Sequence, residues 1–470
     1  MGPDAYDTLY RNTVERIKKQ PDHVLAMRVV SLVVWVRRPL TIQELQHALA
    51  ITEGREDLDE ESRTNIEGIA SVCQGLIRLD HKDSILQLAH YTVQEYFEKN
   101  RGILASDPEC YILKICLDLL SSSAFQTGFC QTDEEFKKRL DSFPLYDYAA
   151  RTWGAHARST SAMNDAVLEF LQNSSNLEAM TQCLMAYCRY GQDVPRLMTG
   201  LHVAAVFGLE TEVDALIAAG WDPEAHNTYG RSPLSFAAEH GHETIVQALL
   251  DRKAEPNSKD KNGKTPFSYA CQGGFQTIVE TLIGHEADTQ LRDNFGRSPI
   301  SYAVQYGHTA IVEHLIRRGD TQVDRANDYG ITPLGWAAIG GNLAMAKVLV
   351  ENGVKVDPCD STGMTPAIRA AKGGHGDVLL YLVEKGADAN VADKEGRTAL
   401  SHAAAEGHDT ITQLLLSMSQ VEVNRPCHCG RSPVSYAAEL GHQAVVKTFI
   451  SSSEASPDLE DADGWTPMPS

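Results

Sequence analysis

Three kinds of short run in this 470-residue sequence carry residue types that could support chemistry. A Gly-Lys-Thr run at residues 263–265 has the ending of a phosphate-binding loop, in which backbone amides and a lysine hold nucleotide phosphates. A Cys-His-Cys run at residues 427–429 offers donor atoms that bind zinc. Gly-Arg-Ser runs ending at Ser232, Ser298 and Ser432 offer hydroxyl nucleophiles. The residues around each run decide whether that chemistry can occur.

The residues around the three kinds of run argue against phosphate binding, zinc binding and nucleophilic catalysis. Ser258 stands where the pattern GxxxxGK[ST] requires its first glycine. Adjacent donors in the Cys-His-Cys run cannot all reach one tetrahedral ion, and no second pair stands at metal spacing. The serine runs lack the second glycine of GxSxG, and each serine is required as a helix cap. The sequence therefore predicts no enzyme, no metal, no nucleotide and no other cofactor.

Composition and charge narrow the class of protein further. Apolar residues make up 43% and charged residues 22%, which is typical of a folded chain. The 42 Lys and Arg against 63 Asp and Glu give a net charge of −21, which repels phosphate backbones, so nucleic acid is not expected as a partner. The longest apolar run, 29–36, is far shorter than the roughly 20 residues that cross a bilayer, and no signal peptide precedes it. We expect a cytoplasmic protein without a membrane partner, whose ten scattered cysteines are reduced thiols.

Glycines recur every 33 or 34 residues in the second half of the chain. They stand at Gly230, Gly263, Gly296, Gly330, Gly363, Gly396, Gly430 and Gly464. Most are followed two residues later by Ser or Thr and then Pro, which cap and start a helix. Paired alanines then allow close helix packing, a Gly-His pair ends the helix, and a second apolar helix follows, as at 245–250. Each period therefore predicts a turn and two helices.

This pattern strongly resembles the ankyrin repeat family over residues 199–470. The resemblance implies a mostly α-helical solenoid of eight complete repeats and a ninth that is cut short after Thr466-Pro467. Arg369 and His402 depart from the family, because they stand where an apolar helix residue is preferred. We expect looser packing in those two repeats.

Residues 1–100 predict helices and one short hairpin, the outline of a winged-helix domain. A capping box at 41–44 opens one helix, and alternating strands at 76–80 and 85–88 form the hairpin. Helical spacing continues through residues 101–198, which we interpret as a helical connector to the repeats. The spacing predicts helices at 108–120, 134–140, 146–157, 164–171 and 177–190.

Motifs in the amino-acid sequence of this region also resemble those of a known family. Residues 38–45 (RPLTIQEL) and 88–97 (LAHYTVQEYF) look like the winged helix of fungal NACHT and ankyrin proteins, relatives of the NOD-like receptors, a module labelled GPI inositol-deacylase winged helix. The resemblance implies that His90 contacts the phosphate of bound ADP when a NACHT domain is supplied; without one, His90 is a structural residue. Residues 145–153 resemble the segment that leads into the repeats, and we expect their aromatic side chains to cover the first repeat rather than a ligand.

A winged helix could also indicate DNA binding through its third helix. The candidate stretch 53–67 carries seven acidic residues against Arg55 and Arg63, so it would repel phosphates. DNA binding is therefore disfavoured.

The exposed candidates for binding lie at the tips of the repeat turns, where aromatic and basic residues adjoin. Such residues anchor many protein interfaces. The predicted partner-binding residues are Tyr229, Arg231, Lys264, Phe295, Arg297, Tyr329, Arg397 and Arg431. For the basic residues, packing against the repeat is favoured over partner binding. For the aromatic residues, packing and partner binding are equally favoured.

These observations predict a protein–protein interaction module whose partner docks on the concave face of the repeats. The resemblance implies the sensor part of a fungal NLR-like regulator that lacks its nucleotide-binding part. A freestanding ankyrin scaffold or adaptor is the alternative. An enzyme hidden in residues 101–198 has little support, because no catalytic constellation stands there.

Overall fold

The protein is built mostly from short helices, as the sequence predicts. Its structure is a computed structural model that describes residues 3–52, 54, 66–80, 82, 84–104, 107–160, 162–187, 190–319, 321–456, 459, 462 and 466. The chain divides into two units, Met1–Ala254 and Glu255–Ser470. Among the described helices, none is long and apolar enough to cross a membrane.

The described residues at the start of the first unit form five α-helices and a two-stranded sheet. The helices are α1 (Pro3–Lys18), α2 (His23–Trp35), α3 (Ile42–Thr52), α4 (Ile66–Val72) and α5 (Tyr91–Lys99), and the strands are β1 (Ile77–Asp80) and β2 (Ile85–Leu88). The strands pair antiparallel with Ile77 opposite Leu88. The predicted capping box is confirmed, since Thr41 N donates to Glu44 Oε2 at 2.7 Å and Glu44 N donates to Thr41 Oγ1 at 3.2 Å. Most of the acidic stretch 53–67 lies outside the described residues.

The described part of the connector contains five α-helices and two short 3-10 helices, Arg101–Ile103 and Ser123–Phe125. The α-helices are α6 (Pro108–Leu120), α7 (Asp133–Ser142), α8 (Tyr146–Arg158), α9 (Asn164–Gln172) and α10 (Ser174–Met185). The Trp153 ring of α8 lies 5.2 Å from Phe170 of α9 and 5.2 Å from Phe207, which belongs to the first repeat. Trp153 is fully buried, so its predicted role in covering the first repeat is confirmed.

Two helix pairs complete the first unit, and six more lie in the described part of the second unit. The first unit contains α11 (Gly200–Phe207), α12 (Glu210–Ala218), α13 (Pro233–His240) and α14 (Glu243–Asp251). The second unit contains α15 (Pro266–Gly273), α16 (Gln276–Gly284), α17 (Pro299–Gln305), α18 (Thr309–Arg318), α19 (Pro333–Ile339), α20 (Leu343–Glu351), α21 (Pro366–Gly373), α22 (Gly376–Glu384), α23 (Ala399–Ala405), α24 (Asp409–Leu416), α25 (Pro433–Glu439) and α26 (Gln443–Ser451). We number the pairs as repeats one to eight. The expected ninth repeat begins at Gly464, and apart from residue 466 it lies outside the described residues.

The local sequence explains where these helices begin and end. In the third repeat, Thr265 accepts a hydrogen bond from Ser268 N at 3.2 Å, and Pro266 occupies the first turn. Ala270 is fully buried, so the small side chain lets neighbouring helices pack closely. The helix ends at Gly274, whose φ of +81° favours glycine.

The histidine of the Gly-His pairs joins one repeat to the one before it. His308 Nε2 donates to the carbonyl oxygen of Gln272, 2.9 Å away, at the end of the preceding first helix. A Cβ atom at Gly274 would lie 2.5 Å from this imidazole ring. Glycine is therefore required there for space as well as for backbone conformation. The same pairing recurs in the second unit between His408 and Lys372 and between His442 and Ala405.

Candidate functional site

One buried side chain fixes the tip of each turn from inside. Asp293 Oδ1 accepts from the backbone amides of Phe295 and Arg297 at 2.9 and 2.8 Å. Asn327 Oδ1 accepts in the same way from Tyr329 and Ile331 at 3.0 and 2.9 Å. These bonds restrain the backbone at both tips.

Where the turn side chain is aspartate, its second oxygen receives a donor from a residue nine positions later. The pairs are Asp260 with Tyr269, Asp293 with Tyr302, Asp360 with Arg369, and Asp393 with His402. Arg369 and His402 are thus bound to their own turns, and His402 is only 2% exposed. The expected looser packing at these two residues is therefore wrong: each is a polar donor that satisfies a buried carboxylate.

The hydrogen bonds around Asp293 and Asp393 outweigh the effect of burial on their pKa values. Burial alone would raise the pKa of Asp293, but hydrogen bonds from Tyr302 and Arg297 and from the Phe295 amide hold it below its usual value. The pKa of Asp393 is also lowered, because the Arg397 amide and His402 overcome its desolvation. The inner side of the turn therefore stabilises a carboxylate at Asp293 and Asp393.

Two neighbouring tips in the second unit expose aromatic side chains. Phe295 is 44% exposed and Tyr329 is 55% exposed. The backbone amide of Asp328 donates to the Phe295 carbonyl oxygen at 3.0 Å, so the tips of the fourth and fifth repeats are directly joined. We call Phe295 and Tyr329 the aromatic tip pair. Tyr306, at the other end of α17, is 52% exposed; it was missed by the sequence interpretation, although it directly precedes a Gly-His pair.

The basic residues predicted for this surface in the second unit are engaged within their own repeats. The Lys264 ammonium lies 3.9 Å from the centre of the Tyr269 ring. Arg297 and Arg397 pair with the turn aspartates Asp293 and Asp393, and Arg431 pairs with Glu439 at 2.7 Å. About a quarter to a third of the Arg297, Arg397 and Arg431 side chains stays exposed. These side chains therefore pack against and pair with their own repeats, and only their exposed part is available to a partner.

The first unit carries the remaining two predicted residues. Tyr229 is half-buried, and its hydroxyl donates to Asp193 of the connector at 2.9 Å. The Arg231 guanidinium lies 3.8 Å from the centre of the Phe236 ring and pairs with Glu239 at 2.6 Å. Tyr229 and Arg231 are thus bound to other side chains of the protein, and Tyr229 is less exposed than the aromatic tip pair.

His90 stands at the start of α5. Its Nδ1 atom accepts from the Thr92 amide at 3.3 Å, and its ring lies 4.4 Å from the Tyr91 ring. The imidazole is exposed. A cavity of about 330 Å³ lies beside α5 and is lined by apolar residues of α2, α3 and β2 together with Arg38, Tyr91 and Gln94. His90 therefore caps a helix here and keeps an exposed ring.

Residues of the other candidate runs form turns and helix caps. Gly263 has a φ of +78° at a turn, and Thr265 caps α15. The hydroxyls of Ser232 and Ser432 accept from the amides of their own first helices. The expected side-chain cap is wrong for Ser298, which stands at the N-cap of α17 but accepts no amide hydrogen bond there; its hydroxyl lies 2.9 Å from the Ser301 hydroxyl instead. No group of three or more His, Cys, Asp or Glu that could hold a metal ion occurs among the described residues.

Comparison with known families agrees with this geometry. Residues 161–260, 252–325, 320–393, 355–427 and 385–463 match the family described as ankyrin repeats (three copies). Together these matches cover well over half of the chain. The chain belongs to the ankyrin repeat family. Ankyrin repeats are protein–protein interaction modules and typically non-enzymatic scaffolds.

A second family matches the N-terminal region of this ankyrin repeat protein. Residues 14–108 match the GPI inositol-deacylase winged helix domain, which is not itself catalytic. No curated protein matches the chain. Among solved structures, the crystal structure of the human ASB11 ankyrin repeat domain is similar, with 30% identity over 47% of this chain and 97% of that chain, and a TM-score of 0.44.

Proposed function

We propose that a protein partner binds the face that carries the turn tips and the exposed side of the first helices, the concave face of an ankyrin array. The exposed aromatic tip pair on two joined tips is the observation that carries this proposal. Rigid aromatic side chains bury a large area at low entropic cost, which makes them frequent anchors of interfaces. The proposed contact residues are Tyr229, Arg231, Lys264, Phe295, Arg297, Tyr329, Arg397 and Arg431.

The arginine beside the tip pair fits this role. The Arg297 guanidinium lies 5.1 Å from the centre of the Phe295 ring while its Nε donates to Asp293 at 2.7 Å. The guanidinium is thus held in place and remains partly exposed. A partner that covers Phe295 would meet an ordered cation at the rim, which favours an acidic or carbonyl-rich segment next to an apolar contact.

We further propose that this array is the sensor part of a fungal NLR-like regulator in the cytoplasm, with a winged helix at 1–100, a connector at 101–198 and repeats at 199–470. The order of the two family matches, winged helix before ankyrin repeats, supports this proposal. In such a regulator the exposed ring of His90 would contact the phosphate of ADP held by a NACHT domain. A freestanding scaffold is the second candidate function, and it needs no nucleotide.

Affinity capture from the protein's own cells tests the binding proposal. The wild type should retain a specific set of proteins that the double variant F295A/Y329A loses. The variant L380A is the matched control, because Leu380 is 38% exposed on the second helix of its repeat, away from the tips. If the double variant retains the same proteins at the same yield, the partner binds elsewhere. Sequencing the transcript upstream separates the two candidate functions: an open frame that encodes a phosphate-binding loop supports the regulator.

A further inference from the structure

The turn of the eighth repeat holds a cysteine where four other repeats hold an aspartate and two hold an asparagine. Cys427 stands at the position of Asp293 in the fourth repeat and Asp393 in the seventh. Its Sγ atom accepts from the Tyr436 hydroxyl at 3.2 Å, just as Asp293 accepts from the Tyr302 hydroxyl at 2.7 Å. The thiol therefore occupies a pocket that holds a carboxylate in the third, fourth, sixth and seventh repeats.

The same surroundings favour the thiolate of Cys427. Burial alone would raise its pKa, but hydrogen bonds from the Cys429 side chain, the Tyr436 hydroxyl and the amides of Cys429 and Arg431 hold it below its usual value. Cys271 is a useful contrast, because burial in apolar surroundings raises the pKa of its thiol. The thiolate is the nucleophilic form of cysteine, so Cys427 is the more reactive of these two buried residues.

A second thiol lies directly beside this one. The Sγ atoms of Cys427 and Cys429 are 2.8 Å apart, and Cys429 is exposed. The turn holds both residues in place: Cys427 N donates to the Arg431 carbonyl oxygen and Gly430 N donates to the Cys427 carbonyl oxygen, each at 2.9 Å. An accessible thiol and a thiolate-stabilising pocket therefore meet at one fixed turn.

We propose that Cys427 and Cys429 form a redox-active dithiol that small-molecule disulfides such as glutathione disulfide oxidise to an intrachain disulfide. The exposed Cys429, as thiolate, attacks one sulfur of glutathione disulfide; a mixed disulfide forms and one glutathione thiolate leaves. The Cys427 thiolate then attacks the Cys429 sulfur, which joins the two residues and releases the second glutathione thiolate. Two protein thiols are oxidised and one glutathione disulfide is reduced to two glutathione molecules, with protons exchanged with water.

Mass spectrometry of one tryptic peptide tests the proposal. Residues 398–431 form a tryptic peptide that contains Cys427 and Cys429 and no other cysteine, because Arg425 precedes a proline and resists cleavage. The full-length protein is equilibrated with a series of glutathione redox buffers and its remaining thiols are alkylated. In the wild type this peptide should lose two hydrogen atoms and take up neither glutathione nor the alkylating group.

Three variants separate this outcome from simple surface oxidation. C427D restores the residue that other repeats carry, so its fold should persist, and its Cys429 should stop at the glutathione mixed disulfide. C359S removes an exposed cysteine elsewhere and should leave the result unchanged. Y436F removes the hydroxyl donor and should slow the second step at pH 7 by roughly tenfold. The proposal is overturned if wild-type Cys429 accumulates as a stable mixed disulfide, or if both thiols stay reduced in buffers that oxidise a reference dithiol.

Discussion

His402 donates a hydrogen bond from Nε2 to Asp393 Oδ2 across 2.8 Å, which ties the first helix of the seventh repeat to its own turn. The imidazole is buried, and desolvation lowers the pKa of His402 although Asp393 opposes this effect. The ring is therefore neutral at pH 7 and supplies one N–H donor. The repeats that use Asn227 and Asn327 instead carry Phe236 and Trp336 nine residues later. The chain thus matches a donor to each aspartate and needs none beside asparagine.

The hydrogen bond between His402 and Asp393 predicts that tyrosine and phenylalanine at position 402 differ in their effect on stability. H402Y should cost little, because tyrosine already donates to the turn aspartate in the third and fourth repeats. H402F should lower the free energy of unfolding by about 1–3 kcal/mol, since Oδ2 of the buried Asp393 loses the His402 donor and keeps Arg397. Urea unfolding followed by circular dichroism measures both values. Equal stability of the two variants would show that the donor is unimportant.

The space around the glycines that follow the first helices of the third and fourth repeats predicts a second matched difference between two variants. Gly274 and Gly307 share a φ near +80°, so alanine strains the backbone at either site. A Cβ atom at Gly274 would lie 2.5 Å from the His308 ring, whereas at Gly307 the nearest atom is Asn342 Nδ2 at 3.5 Å. G307A should cost about 1–2 kcal/mol from strain, and G274A should cost about 1–3 kcal/mol more from displacement of the histidine. Thermal unfolding of the pair checks this, and a smaller loss in G274A would contradict it.

His202 predicts how acid destabilises the first unit. Its Nδ1 accepts from Thr199 N and its Nε2 donates to the Arg231 carbonyl oxygen, each at 3.0 Å, and burial lowers the pKa of His202 to about 4. The folded pKa lies below the unfolded value of about 6.5. The stability that the neutral ring contributes is therefore present above pH 6.5 and is lost as pH falls towards 4, by about 3 kcal/mol.

The variant H202Q isolates this effect, because glutamine can keep one acceptor and one donor without titrating. Denaturant unfolding at pH 7, 5.5 and 4.5 should show a steeper loss in the wild type than in H202Q. Parallel pH profiles would mean that His202 does not titrate on unfolding.

The second helix of the eighth repeat predicts faster hydrogen exchange than its counterpart in the third. Ile450 of α26 is 50% exposed and Val446 is half-buried, whereas Val279, the counterpart of Val446 in α16, is fully buried. Fewer apolar contacts lower the free energy of local opening. Amides of 444–450 should therefore exchange faster than those of 277–283. Equal protection would indicate that another surface, such as a second copy of the chain, covers α26.

The repeating helices could be predicted from the sequence because each carries its own signals. The Ser or Thr cap, the following proline and the glycine at the end recur at a fixed period, and α6 (Pro108–Leu120) was predicted to the residue. Helix α10 was harder: the periodicity predicted 177–190, but Asn173 caps a helix that begins at Ser174 and ends at Met185. Its end lacks a glycine, so spacing alone extended it too far.

The site could be predicted only in part, because exposure depends on neighbours. The period placed Phe295 and Tyr329 at tips, and the structure adds that both are exposed. The period could not predict that the Tyr229 hydroxyl binds Asp193, because that hydrogen bond joins the connector to the repeats. The approach of Cys427 to Cys429 also depends on the conformation of one turn, which spacing does not specify.

Calorimetric titration of the purified partner tests the central claim most directly. The partner captured by the wild type should bind the wild type and L380A with the same Kd. F295A/Y329A should weaken binding by roughly thirtyfold or more, because two central aromatic anchors together exceed 2 kcal/mol in most interfaces. Circular dichroism should show an unchanged fold, since both side chains lie at turn tips. An unchanged Kd in F295A/Y329A would contradict the claim that this face recognises the partner.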